Sequence, residues 1–404
     1  CCGWNHGLDC IWARHRYGRA SRVSFEWVDS ESALNDVVNE VLRQPRYAID
    51  TEFHREKTYY PKLALVQIKW DKTTALIDPL AVDPRGLGRL FSSDVLAVIH
   101  AAQQDLEVLR HAALDAPRRI FDCQVAAGFV GFSTPSLATL VQSVKKISLS
   151  KGDRLTDWLR RPLTEQQCSY AADDVAYLFD LHDELSKQLE ALGRTEWVND
   201  ACRDLQARPS GPQSSDDAWL KLKEARALKG ASRGVAQSLA KWREERAMRS
   251  DAPPRRIMSD MALLGISQRI PKSVEELATT RGVDDRHLSA DFCREIMTAV
   301  RDGAKQTVSL PSSDNDDVDK WARPALTLIT AWIGELARKH QIDATLLATR
   351  SDITSFLRKA PNARLSEGWR AELVGNDLNR ILNGEVGLSV DSDGHLKLIE
   401  ASSS

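Results

Sequence analysis

The 404-residue chain is 42% hydrophobic and 28% charged, which places it among soluble globular proteins and argues against both a disordered polymer and a membrane protein. At that length two or three cores are expected rather than one. The 55 Lys and Arg against 57 Asp and Glu leave a formal charge of -2, so a polyanionic partner has to be met by a local patch rather than by the whole surface.

Residues 1–24 begin without Met, lack the apolar stretch and small-residue cleavage site of a secretory signal, and read as a tail. Cys1, Cys2, His6 and Cys10 carry zinc-type ligand atoms, but their spacing fits no common zinc module. The seven cysteines are odd in number and show no CxxC spacing, in a chain large enough to need no disulfide staples. A reducing cytoplasm is the expected compartment. No apolar run approaches the roughly 18 residues that a membrane helix needs.

From residue 25 to about 207, strand and helix signals alternate. Helical patterns at 31–42, 104–112 and 165–189 intervene among β-type runs at 47–53 (YAIDTEF), 63–70 (LALVQIKW), 75–77 and 95–99. An α/β layered domain is expected there. The stretches 206–217 (QARPSGPQSSDD) and 308–319 (VSLPSSDNDDVD) are rich in Pro, Ser and Asp and read as linkers. Between them lie short helices broken at Gly230, Pro253-Pro254 and Pro271, and a second helical set runs from 320 to about 383. The near-helical stripe Trp321, Leu326, Ile329, Trp332, Ile333, Leu336 reads as core packing and not as a base-stacking platform.

Three places in the first segment offer chemistry. Asp50 and Glu52 are two apart in a strand, so both carboxylates turn to one face, where they repel unless a cation sits between them or the edge is exposed. Asp105 follows the apolar strand and falls in the first turn of a helix, where by itself it is an ordinary dipole-complementing acid. Tyr170 and Asp174 stand at i and i+4 on one helix face, while Asp173 points about 100° away.

In this order the blocks AIDTEF, HAAQQDLEVL and DWLRRPLTEQQCSYAADDVAYL resemble the DEDD exonuclease superfamily, specifically its ribonuclease D family. FDCQVAAGF and LATLV also resemble it, and Tyr at 170 assigns the tyrosine branch. The resemblance implies an RNase H-like fold in which Asp50, Glu52, Asp105 and Asp174 hold two divalent ions, Mg²⁺ or Mn²⁺, in two-metal hydrolysis. Hard carboxylate oxygens suit those ions and not zinc. Tyr170, a poor base at an ordinary pKa near 10, would orient the attacking water. The implied activity is 3′-to-5′ exoribonuclease action releasing 5′-mononucleotides.

The stretch 218–256 holds eleven basic residues against four acidic, which makes phosphate binding plausible. Its string AWLKLKEARALKG, continuing through PPRRIMSDMALLGIS, resembles the HRDC domain, and the last segment resembles the second HRDC-like module of ribonuclease D. Candidate RNA contacts are Lys151, Arg154, Lys221, Lys223, Arg226, Lys241 and Arg243, with Arg160 and Arg161 also near the Tyr170 helix; solvated surface charge is the alternative.

The expected architecture is therefore an α/β RNase H-like exonuclease domain, a mixed sheet flanked by helices, at 25–205, followed by two all-α HRDC-type domains at 218–303 and 320–404. Segments 206–217 and 304–319 link them. The expected partner is RNA with a free 3′ end, such as tRNA precursors, acted on by a monomer away from any membrane. The alternatives are a DNA-directed exonuclease of the same superfamily, or a silent RNA-binding scaffold that has lost its acids.

Overall fold

The computed structural model describes residues 24–149, 156–209, 214–310 and 322–401. They divide into two units, one of the residues up to Phe53 with Leu63–Arg208, the other of His54–Lys62 with the residues from Pro209 on.

The first unit is built on β1 (Glu26–Val28), α1 (Glu31–Val41), β2 (Arg46–His54), β3 (Lys62–Trp70), β4 (Thr73–Ile77), α2 (Gly88–Phe91), β5 (Leu96–Ile99), α3 (Gln103–Ala112) and β6 (Ile120–Asp122). Helices α4 (Cys123–Gly128), α5 (Leu137–Lys145), α6 (Glu165–Ala176), α7 (Leu178–Ala191) and α8 (Thr195–Ala207) complete it. The six strands lie in the order β1-β4-β3-β2-β5-β6. β1 runs parallel to β4, β2 to β5 and β5 to β6, while β3 and β4 are antiparallel, so the sheet is mixed as expected.

Local sequence explains these elements. Ser30 caps α1, whose Leu34, Val37, Val38 and Val41 are buried at helical spacing, each such side chain contributing about 1.5–3 kcal/mol. β2 lies second from β6 in the interior of the sheet with Tyr47, Ala48 and Ile49 fully buried, so it places the acids that follow at the middle of the unit. Two departures from expectation have simple causes. β1 and β6 are three residues each, too short to show a period. The helix expected over 165–189 breaks at Tyr177 into α6 and α7.

The second unit begins, after the turn Ser215–Lys221, with α9 (Lys223–Ala227), α10 (Gly230–Ser250), α11 (Pro254–Ile257), α12 (Asp260–Arg269), α13 (Val274–Ala278) and α14 (Ala290–Gly303). Trp219, Leu239, Met258, Leu263, Ile266 and Ile296 form its core. α10 and α14 approach backbone to backbone: a Cβ on Gly234 would stand 2.2 Å from the Gly303 carbonyl oxygen, so only glycine fits. α15 (Ala322–His340), α16 (Ala344–Leu347) and α17 (Arg350–Leu357) follow, then a helical stretch to Leu382. Leu326, Ile329, Trp332, Ile333 and Leu336 are buried, as packing requires, and Trp321 lies outside the described residues.

The all-α expectation for this last module is incorrect. It ends in an antiparallel hairpin, β7 (Val386–Val390) and β8 (Leu396–Glu400), with Leu388 opposite Leu398. The alternating VGLSV and LKLIE flank a DSDG turn in which Gly394 takes φ +81°, a conformation favoured by glycine. The linker expected at 206–217 is also shorter, because α8 continues through Ala207 and the next turn starts at Ser215.

Candidate metal centre

β2 delivers Asp50 and Glu52, and α6 delivers Asp174. One carboxylate oxygen from each lies within 4.8 Å of the other two, and all three residues are half-buried. α6 is fixed at its start by a capping box: Thr164 accepts from the Gln167 amide at 3.2 Å, and the Gln167 side chain accepts from the Thr164 amide at 2.8 Å. At its end Lys69 donates to the Ala176 carbonyl at 2.5 Å. The i, i+4 spacing sets the Tyr170 hydroxyl on the same face of α6 as the Asp174 carboxylate, close enough for each to shift the other's titration, while the Tyr170 ring lies 6.1 Å from that of Trp158.

Asp105 arrives separately, in the first turn of α3, buried and with its carboxylate accepting the Thr51 hydroxyl. It is outside the close triplet, yet its charge acts on Asp50, Glu52 and Asp174. The start of α3 is held by Asp122 at the end of β6. Its buried carboxylate accepts from Ala101 at 3.1 Å and Ala102 at 2.8 Å, and from Gln124 and Val125 at 2.8 and 3.2 Å.

The acids feel one another strongly. Burial, then the charges of Asp105, Asp174 and Glu52, raise Asp50 well above the carboxylate range. Burial, then Asp174 and Asp105, push Glu52 up to about 8. Burial raises Asp105 to about 7, and burial followed by the Asp173 charge raises Asp174 to about 8, against the lowering effect of the Tyr170 hydrogen bond. Tyr170 is itself raised by burial and by Asp174, Glu52 and Asp50. Clustered carboxylates that resist ionisation together are the donor set that a hard divalent cation would relieve. Asp50, Glu52, Asp105 and Asp174 fit that role by chemistry, and Asp173 is not in the triplet.

The basic residues divide differently from expectation. Arg161 is no phosphate contact: its guanidinium pairs both Asp78 oxygens at 2.7 Å and donates to the Ala64 carbonyl at 2.6 Å and the Trp158 carbonyl at 2.8 Å. It braces the segment leading into α6. Arg243 is likewise misread by charge counting. Its side chain is only 6% exposed and donates to Asp260 at 2.7 Å and the Met258 carbonyl at 3.1 Å, because its position on α10 faces the core. Lys223 and Arg226 are exposed, with Arg226 also donating to the Leu220 carbonyl at 2.9 Å. Lys221 pairs with Glu244 at 3.2 Å and Lys241 with Asp216 at 2.7 Å. Lys151 and Arg154 lie outside the described residues. The sequence assigns no role to Thr51 or Asp122, although the AIDTEF and FDCQVAAGF blocks contain them.

Known proteins resemble this chain in sequence and fold. The 3′-5′ exonuclease family matches residues 25–190, and the HRDC domain family matches residues 232–300. The chain is 32% identical over 378 residues to a ribonuclease D of Acidiphilium cryptum, covering 90% of this chain and 94% of that one. It is 34% identical over 371 residues to a ribonuclease D of Jannaschia sp., covering 88% and 95%. Its fold is similar to that of Escherichia coli RNase D, described as an exoribonuclease involved in structured RNA processing, with a TM-score of 0.79, 30% identity, and coverage of 89% of this chain and 98% of that one.

Proposed function

This chain belongs to the ribonuclease D family of metal-dependent 3′-to-5′ exoribonucleases, and from that premise we propose that it trims the 3′ ends of tRNA precursors and other small structured RNAs, releasing 5′-mononucleotides. The observation that carries the chemistry is the Asp50, Glu52, Asp174 triplet, with Tyr170 one helical turn from Asp174 on the same face of α6.

Asp50, Glu52, Asp105 and Asp174 would hold two divalent ions, Mg²⁺ or Mn²⁺. Such ions, when bound, acidify water and neutralise the charge that develops on the leaving 3′ oxygen. Tyr170 stays protonated at neutral pH, since its surroundings raise it further above its ordinary value. It therefore acts as a donor that orients the attacking water, not as a base.

The proposed division is an exonuclease domain at 25–205 and helical modules at 218–303 and 320–404. The exposed cations of the first module, Lys223 and Arg226 among them, grip folded RNA away from the scissile bond. We also propose that the protein works as a monomer in the cytoplasm. Among the described residues no helix is long and apolar enough to cross a membrane.

The test is hydrolysis of 3′-extended tRNA and of matched RNA and DNA oligonucleotides by the purified protein, in Mg²⁺ or Mn²⁺. Faster trimming of the tRNA substrate supports the reading. Equal rates on DNA would move the assignment to the DNA-directed branch, and no hydrolysis with either ion would leave an RNA-binding scaffold.

A further inference from the structure

The second unit holds a pocket that the proposed chemistry does not use. It is an open depression of about 390 Å³ lined by Arg246, Arg249 and Ser250 of α10 and Glu295 of α14. Ligand pockets run from roughly 300 to 1,000 Å³, so this one has room for a single nucleotide unit, and its open side lets the strand continue past it.

Most of the lining is already committed. Glu295 accepts from the Trp242 indole N–H at 2.6 Å and from Arg246 at 2.6 Å, so its charge is met within the fold. The Ser250 hydroxyl donates to the Arg246 carbonyl at 2.8 Å and closes the wall. The Arg246 guanidinium carbon lies 3.8 Å from the centroid of the Phe292 ring, and its side chain keeps 23% of its surface exposed. Arg249 differs from the rest: it is exposed, its charge helps to hold Glu295 below the usual carboxylate range, and its side chain makes no direct hydrogen bond or ion pair among the described residues.

Two guanidinium groups share the single carboxylate of Glu295, which Arg246 pairs directly, so the pocket keeps an excess positive charge at Arg249 that favours an anion. A second guanidinium placed over an aromatic ring adds a cationic surface of the kind on which nucleobases stack. An acidic peptide would satisfy Arg249 alone. A nucleotide of RNA uses both features.

We propose that Arg249, Arg246 and Phe292 form a nucleotide-sized RNA subsite in the first helical module, with Arg249 pairing a backbone phosphate and Arg246, supported by Phe292, bearing the adjoining base. This rests on the reading that the module grips RNA, and it adds one nucleotide contact to that grip.

The test titrates the full-length protein, free of divalent cations so that the RNA survives, with a fluorescein-labelled RNA hairpin carrying a single-stranded 3′ tail, across a salt series. Arg249→Glu is expected to weaken binding about tenfold and to lower the slope of log affinity against log salt by about one, whereas Arg249→Lys keeps the slope. In Mg²⁺, hydrolysis of a short single-stranded RNA should be unchanged in both, and thermal melts should match wild type. A second full-length variant, Lys223→Glu with Lys229→Glu, alters exposed charges of the same module outside the pocket lining. If that variant weakens binding while Arg249→Glu stays within about twofold of wild type, the subsite is overturned and the module still grips RNA. If neither variant changes binding, the reading beneath the subsite falls with it. Free 5′-AMP serves as the competitor: Arg249-dependent binding of 5′-AMP tighter than that of the hairpin would make this a free-nucleotide site and overturn the RNA assignment.

Discussion

The carboxylate of Asp122 accepts the Ala102 backbone N–H at 2.8 Å, tying the end of β6 to the residue from which the Asp105 helix starts. The same side chain receives the amides of Ala101, Gln124 and Val125, so one buried acid fixes the first turns of α3 and α4 together. Asp122→Ala leaves these donors without their acceptor and should cost about 3 kcal/mol, since an unsatisfied buried group typically costs roughly 1–3. Asp122→Asn keeps one oxygen and should cost less. Urea unfolding of the metal-free protein measures both, and an unchanged midpoint in the alanine variant would count against this role.

The raised acids make a prediction about pH. Glu52 and Asp174 near 8 and Asp105 near 7 lie above their unfolded values of about 4, so the folded state binds protons that the unfolded state releases. Their favourable contribution is fully present below about pH 4 and is lost as pH rises through about 8. Metal-free protein should therefore lose stability across that window relative to Asp50→Asn, which removes a repelling neighbour. Melting curves in chelator at pH 5, 7 and 9 give the comparison. Added Mg²⁺ should restore the wild type at pH 9 and do much less for the variant. A pH-independent difference between the two proteins would mean that the acids do not titrate as a cluster.

Much of this centre was legible because it depends on local periods. The alternation of a strand joins Asp50 to Glu52, and the turn of a helix joins Tyr170 to Asp174. What stayed hidden depends on contacts between distant segments. Nothing near Thr51 in the sequence shows that its hydroxyl meets Asp105, and nothing near Arg161 shows that Asp78 claims its guanidinium. Arg243 looks like any cation of a basic helix until the core packs around it. The β7–β8 hairpin is a different failure: alternation and a turn are both visible there, and the expectation of a wholly helical module outweighed them.

Asp50→Asn and Asp174→Ala should each abolish RNA hydrolysis while leaving the far-UV circular dichroism unchanged, because each removes a carboxylate from the cluster proposed to hold the divalent ions. Isothermal titration with Mn²⁺ should show weakened binding in both. A rate near wild type in either would remove that residue from the centre.

Tyr170→Phe keeps the ring beside Trp158 and loses only the hydroxyl next to the Asp174 carboxylate. Mn²⁺ binding should persist while hydrolysis slows by roughly 10²–10³, the scale of losing one well-placed polar group. An unchanged rate would reduce Tyr170 to packing.

Removing everything after Arg208 tests where structured RNA is held. The acids should still hydrolyse a short single-stranded RNA, because the nucleotides nearest the scissile bond need only the metal centre. Binding of a tRNA-like substrate should weaken, with a salt slope shallower by a few units, since each phosphate neutralised by the lost cations adds about 0.7–0.9 to that slope. The deletion has a second effect. Residues 54–62, which join β2 to β3, pack in the second unit, where Tyr59 donates its hydroxyl to Glu244 at 2.8 Å and the Tyr59 and Tyr60 amides donate to Asp251 at 3.0 and 3.1 Å. A truncated protein leaves that segment without its partners immediately after the strand that carries Glu52. Some loss of rate on short RNA is therefore expected from the deletion, and full-length Tyr59→Ala should reproduce that loss without changing the salt slope. If the deletion alters neither affinity nor slope for the structured substrate, the helical modules do not grip RNA, and a protein partner becomes their better explanation.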